Sequence, residues 1–188
     1  MAITTLTHPV GDILAERAAT RSLVAEWLLA MGPVVHRLDY GGRVAAVGCG
    51  DGVTTALLAT AYPLATLDAL DPDPAAVAAA RSAVQRAGVA GRCEVVVADA
   101  DSLRPGAYDL VCVLHGLAVV DDPVALARDA LRAVRPTGAL MVVEHQCTDA
   151  FADGALVVGG WLQQAGAARV RLASANPKGF VLDARPDH

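Results

Sequence analysis

The stretch Arg43 to Gly52, RVAAVGCGDG, runs from an apolar strand straight into a glycine turn, and the helical pattern VTTALLATAY follows from Val53. Glycine at Gly48, Gly50 and Gly52 lets the backbone turn sharply and lets a ligand approach without Cβ atoms in the way. The helix behind the turn presents unpaired N–H groups and a partial positive charge. Asp71 closes the next apolar run, roughly 20 positions on, where an acidic residue holds a nucleoside ribose in folds of this kind. The stretch therefore points to a ligand with a ribose, bound at the carboxyl edge of a parallel sheet. A bare strand-to-helix turn would show the same glycines, and Asp71 counts against it. A dinucleotide fingerprint, G-x-G-x-x-G, would place its third glycine at position 53, which is Val53; this chain has G-x-G-x-G.

The rest of the chain repeats the strand-then-helix theme. Apolar runs predict strands over Arg43–Val47, Ala65–Leu70, Cys93–Ala98, Tyr108–Leu114 and Ala139–Glu144. Amphipathic patterns predict helices over Val53–Ala61, Pro74–Ala87, Pro123–Val134 and Ala155–Ala165. The strands are continuous Val/Leu/Ala runs, as a sheet covered on both faces requires. The alternation implies right-handed βαβ crossovers, hence an α/β fold with a Rossmann-like, doubly wound, mostly parallel sheet. Pro74 and Pro123 suit first-turn positions, with Asp73 and Asp122 placed to cap. Arg132 and Arg135 fall at the end of the helix from Pro123, where they favour its dipole, and Arg135-Pro136-Thr137-Gly138 breaks that helix before the fifth strand. The tail, strand then Asn176-Pro177-Lys178-Gly179 then strand, reads as a β-hairpin.

At 188 residues the chain is expected to form one domain: an N-terminal helical region over 1–40, a cofactor-binding core over 41–145, and a last helix with the hairpin over 146–188. A net charge of −5 and Lys178 as the only lysine argue against a nucleic-acid partner. The mean hydropathy is +0.43. No apolar run reaches the roughly 18 residues that span a bilayer, so no membrane partner is expected. MAITTLTHPVGD has no basic or apolar leader pattern, which makes the cytoplasm the default location. Cys49, Cys93, Cys112 and Cys147 form no C-x-x-C pair and no zinc spacing. They read as small buried apolar groups, with no metal expected.

The VGCGDG string resembles motif I of class I S-adenosylmethionine-dependent methyltransferases, and from about Ser22 to Pro186 the chain is similar to that family piece by piece. Val95 to Ala100 resembles the adenine-contact motif, Tyr108-Asp109-Leu110-Val111 the motif opening strand four, and LRAVRPTG (Leu131 to Gly138) the turn before strand five. A small-molecule subgroup carries a Ser-Leu-Val-x-x-Trp helix, a Leu-His-Asp turn and an Ala-Arg-Pro tail. Here these are Ser22-Leu23-Val24 with Trp27, Leu114-His115-Gly116, and Ala184-Arg185-Pro186. The resemblance implies a seven-stranded sheet of order 3-2-1-4-5-7-6 with an antiparallel C-terminal hairpin. It implies S-adenosylmethionine as cofactor, S-adenosylhomocysteine as product and a small-molecule substrate, with secondary metabolism as a setting.

The resemblance also assigns roles. Gly48, Gly50 and Gly52 pass beneath the methionine part of the cofactor, and Asp71 accepts both ribose hydroxyls, with Pro72 beside it. Asp99 accepts the adenine amino group and Ala100 donates its N–H; Asp101 is a rival to Asp99, and Asp68 and Asp73 are rivals to Asp71. His115 is a candidate base, substrate contact or cofactor neighbour, and His145 a second catalytic candidate. Trp27 either stacks on a ligand or anchors the core.

Several positions depart from the family. Position 46 is usually acidic and is Ala46 here, a loss comparable to one charge-assisted hydrogen bond, roughly 1.5–3 kcal/mol. Asp51 is the candidate substitute. Gly116 replaces the subgroup's Asp. The N-terminal winged-helix region has no counterpart in the residues before strand one, and Cys147 to Gly154 is a short link where relatives carry a lid segment. These departures keep two further readings open: a methyltransferase-fold enzyme catalysing cyclisation or rearrangement, and a non-catalytic protein. Sheet edges and an apolar composition are compatible with a homodimer or a heteromeric partner.

Overall fold

The computed structural model describes residues 31–114, 116–145, 151–176 and 179–187. In chain order these hold α1 (Gly32–Asp39), β1 (Arg43–Val47), α2 (Val53–Ala61), β2 (Thr66–Asp71), α3 (Pro74–Arg86), β3 (Cys93–Val97), β4 (Tyr108–Leu114), α4 (Pro123–Ala133), β5 (Val134–His145), α5 (Phe151–Gln164), β6 (Ala167–Asn176) and β7 (Gly179–Pro186). The seven strands form one sheet in the order β3-β2-β1-β4-β5-β7-β6. Strands β1 to β5 pair in parallel. β7 runs antiparallel to β5, and β6 antiparallel to β7. This is the expected Rossmann-like sheet with its terminal hairpin.

Both faces of the central strands are buried, which is why their sequences are unbroken apolar runs. Val44, Ala46, Leu110, Cys112 and Met141 pack on one face with residues of α1, α2 and α3. Ala45, Val47, Val111, Leu140 and Val142 pack on the other with residues of α4 and α5. Asp73 caps α3 by accepting the N–H of Ala75, and Asp122 caps α4 by accepting that of Ala125, each with proline in the first turn.

Most boundaries fall within a residue of expectation, and three elements differ in ways that bear on the site or the packing. β2 runs through Asp71, so that carboxylate stands on the last strand residue. α5 begins at Phe151 rather than Ala155. β5 begins at Val134, directly after α4, so Arg135 to Gly138 lie inside a strand and not in a break before it. Val134 pairs with Tyr108 and Ala139 with Leu110, so five steps on β5 oppose two on β4, a bulge. Gly138 makes the bulge sterically possible: a Cβ there would stand 2.9 Å from the carbonyl oxygens of both Tyr108 and Asp109. Arg135 likewise departs from its helix-end role. Its guanidinium pairs with Asp109 at 2.6 Å. The buried Asp109 also accepts the N–H of Arg43 at 2.9 Å and pairs with Arg37 at 3.2 Å. One carboxylate thus ties α1, β1 and β5 together at the strand starts. Ser22 to Trp27 and Cys147 lie outside the described residues. No helix among the described residues is long and apolar enough to cross a membrane.

Candidate functional site

The parallel strands end at one edge of the sheet, and the loops after β1, β2 and β3 meet there. The glycine turn after β1 has three positive φ angles, +68° at Gly48, +52° at Gly50 and +76° at Gly52. Only glycine adopts these freely. The three do different jobs. A Cβ at Gly48 would come within 3.0 Å of the Leu114 carbonyl oxygen at the end of β4. One at Gly52 would come within 2.5 Å of Cα of Ala80, so this glycine lets α3 pack onto the turn. A Cβ at Gly50 would meet no atom within 4 Å. Gly50 is therefore the glycine that faces open space, and Gly52 is buried beneath α3.

Asp71 is drawn into this turn. Its Oδ2 accepts the N–H of Gly50 at 3.0 Å and its Oδ1 accepts that of Asp73 at 3.0 Å. A carboxylate offers about four lone-pair sites, so about two remain for hydroxyl donors. The rivals for its role are occupied elsewhere. Asp68 accepts from Arg43 at 2.6 Å and from the Tyr108 hydroxyl at 2.6 Å, part-way down β2. Burial, with that contact, pushes the Tyr108 phenol up to about 12. Asp73 caps α3. Asp51 accepts the N–H of Val53, the first residue of α2, at 3.0 Å. Ala46 is fully buried in the apolar layer. Pro72 is exposed between Asp71 and the cap.

After β3, a single turn of 3-10 helix spans Ala100–Ser102. Asp99 precedes it, exposed and with no capping hydrogen bond from its side chain, while Ala100 is buried. Asp101 is exposed, and its carbonyl accepts from Arg132. Past β4, His115 lies outside the described residues. Leu117 follows, and its N–H is donated to Glu144 Oε1 at 2.8 Å. Glu144 is a buried carboxylate at the end of β5, missed as a site residue in the sequence. Its only sequence signal is an acid closing an apolar strand. His145 ends β5 opposite Gly179. Burial, with Asp71 nearby, pushes the Cys49 thiol up to about 11.

A glycine turn, an acid on the last residue of β2, a 3-10 turn after β3 and a buried acid at the end of β5 thus share one edge of a 3-2-1-4-5-7-6 sheet. A family model described as "Methyltransferase domain" matches residues 45–142. The chain belongs to this family. This methyltransferase-domain chain is 36% identical over 126 residues to trans-aconitate 2-methyltransferase of Escherichia coli O157:H7, covering 66% of the chain and 46% of that protein. It spans about half the length of the curated relatives it matches. The apo structure of the S-adenosylmethionine-dependent methyltransferase SibL is 26% identical, with TM-score 0.66 over 88% of this chain and 56% of that one. The [4+2]-cyclase SpnF, at 19% identity and TM-score 0.64 over 78% of this chain and 75% of that one, shares the fold.

Proposed function

We propose that this methyltransferase-domain chain transfers a methyl group from S-adenosylmethionine to a small molecule. The observation that carries the reading is Asp71, held by the Gly50 N–H at 3.0 Å with lone pairs to spare at the sheet's carboxyl edge. The residues fit the cofactor. Space stands open above Gly50, and Asp71 can accept two ribose hydroxyls as a charge-assisted pair. Asp99 and the Ala100 N–H are assigned to the adenine, with Pro72 alongside. When bound, the cofactor supplies the sulfonium methyl and its own leaving group. The protein aligns the acceptor for in-line displacement and keeps water out. Where the nucleophile is a hydroxyl, His115 or His145 would take its proton. Curated relatives named for trans-aconitate support a small-molecule acceptor, as do structures of an O-methyltransferase with naphthoic acids bound.

Ala46 supports a second reading, a methyltransferase fold that catalyses a step other than methylation. Calorimetry with S-adenosylmethionine and S-adenosylhomocysteine tests the first. Binding that Asp71→Ala weakens about tenfold or more is expected. Binding of neither would overturn it, and binding without release of S-adenosylhomocysteine across an acceptor panel would favour the second.

A further inference from the structure

We propose that Arg81 closes the β3 edge of the sheet to a second copy of this chain, and that this edge becomes a homodimer interface when Arg81 is replaced by a residue without donors. The proposal concerns a surface away from the cofactor site and does not rest on it.

An open sheet has two edges, and each carries a row of backbone groups able to pair with another chain. Here they are β3 and β6. β6 is irregular. Its register against β7 shifts between Ala167 and Arg169 and again between Leu172 and Ser174, and Arg169 and Arg171 stand exposed along it. Bulges and charged side chains are ordinary protections of an edge. β3 pairs with β2 from Cys93 to Val97 without a register shift. Its residues other than Glu94 are apolar, and Val97 is 51% exposed. A regular run of this composition suits strand pairing.

The second observation is what occupies the middle of that edge. The Ala98 N–H is donated to the Asp71 carbonyl, toward β2. Successive strand residues alternate sides, so Glu94 and Val96 also bond toward β2, whereas Cys93, Val95 and Val97 turn their N–H and C=O outward. The Cys93 N–H is donated back to the Ala90 carbonyl in the 3-10 turn before β3. Arg81 stands on α3, one residue past the buried Ala80. Its Nε and Nη2 both donate to the Val95 carbonyl, at 3.0 and 2.8 Å. A carbonyl oxygen has two lone pairs, and the guanidinium fork takes both.

That carbonyl is the one a second copy needs. A two-fold axis sets β3 antiparallel to its copy. An axis through Glu94 places two glutamates opposite each other, which repel. Axes through Val95 or Val96 place valine against valine. In the first, the two Val95 residues exchange both of their bonds. In the second, the Val95 carbonyl accepts the N–H of the partner's Val97. Axes nearer the strand ends leave fewer residues paired. Both favourable registers therefore require the acceptor that Arg81 fills.

Sedimentation velocity over a concentration series compares the wild-type protein with Arg81→Met, which keeps a long stem and the helical propensity of α3. The substitution takes the net charge of −5 further from zero, so self-repulsion opposes association. Arg81→Met is still expected to self-associate about tenfold or more tightly than the wild type, as the release of backbone hydrogen bonds implies. Hydrogen exchange identifies the surface. The outward Val95 and Val97 amides are expected to slow with rising concentration in Arg81→Met, and to show no concentration dependence in the wild type. Association of Arg81→Met no tighter than that of the wild type overturns the proposal, as does tighter association that leaves these amides unchanged. Concentration-dependent protection of the same amides in the wild type also overturns it, whether or not the variant folds.

Discussion

Asp109 at the strand starts, and Asp68 and Asp183 along the strands, face guanidinium groups, whereas at the strand ends Asp51, Asp71, Asp73 and Asp122 face backbone N–H groups. The same side chain serves two regions. A carboxylate paired with arginine has its charge cancelled, and it joins elements distant in sequence. One bonded to amides is held in place with its charge intact, available to a ligand. The proposed cofactor site sits where the carboxylates are oriented but not neutralised.

The comparison breaks most readily at Asp109. Asp109→Ala strands Arg37, Arg135 and the Arg43 N–H together, and is expected to cost about 3 kcal/mol of stability. Urea denaturation checks it; a loss below about 1 kcal/mol, the range of surface pairs, would mean that this end is ordinary surface electrostatics. Gly52→Ala is next, at about 2 kcal/mol, because the new methyl meets Ala80 and φ is +76°. A melting curve unchanged by this substitution would remove the packing role of Gly52.

A paired experiment sharpens the contrast within β2. Asp71→Asn is expected to lower cofactor affinity about tenfold, or about 1.4 kcal/mol, with little change in stability. Asp68→Asn, three residues away, is expected to cost about 1 kcal/mol of stability and leave affinity alone, since its partners are Arg43 and Tyr108. Equal effects on binding would collapse the distinction between the two regions. Asp122→Ala removes one cap for about 1 kcal/mol, and Asp122→Asn is expected to retain most of it.

The smallest expected change is none. Burial pushes the Cys112 thiol up to about 12, and Cys49 stands at about 11. Both stay protonated at pH 8, so iodoacetamide should label them only after unfolding, as mass spectrometry of the peptides would show. The folded thiols hold their protons above the ordinary 9.0, so stability is full below pH 9 and falls as pH rises toward 11.

Much of the fold was legible because its signals are local. The glycine turn, proline first turns, acidic caps and unbroken apolar strands each lie within a few residues of their effect. Asp71 could be found the same way, as an acid closing the strand after a glycine turn. Other features had no local signal. Glu144 meets the Leu117 N–H across 27 positions, and Asp109 meets the Arg43 N–H across 66. The bulge at Gly138 exists only because β4 and β5 pair with unequal step counts.

The sequence by itself determined the alternation of strand and helix, the terminal hairpin and the acid that follows the glycine turn, since backbone propensity and side-chain periodicity act over short range. Tertiary structure alone decided which carboxylates meet guanidinium, and that Asp71 meets the Gly50 N–H. That choice depends on which ends of distant strands the sheet order places together.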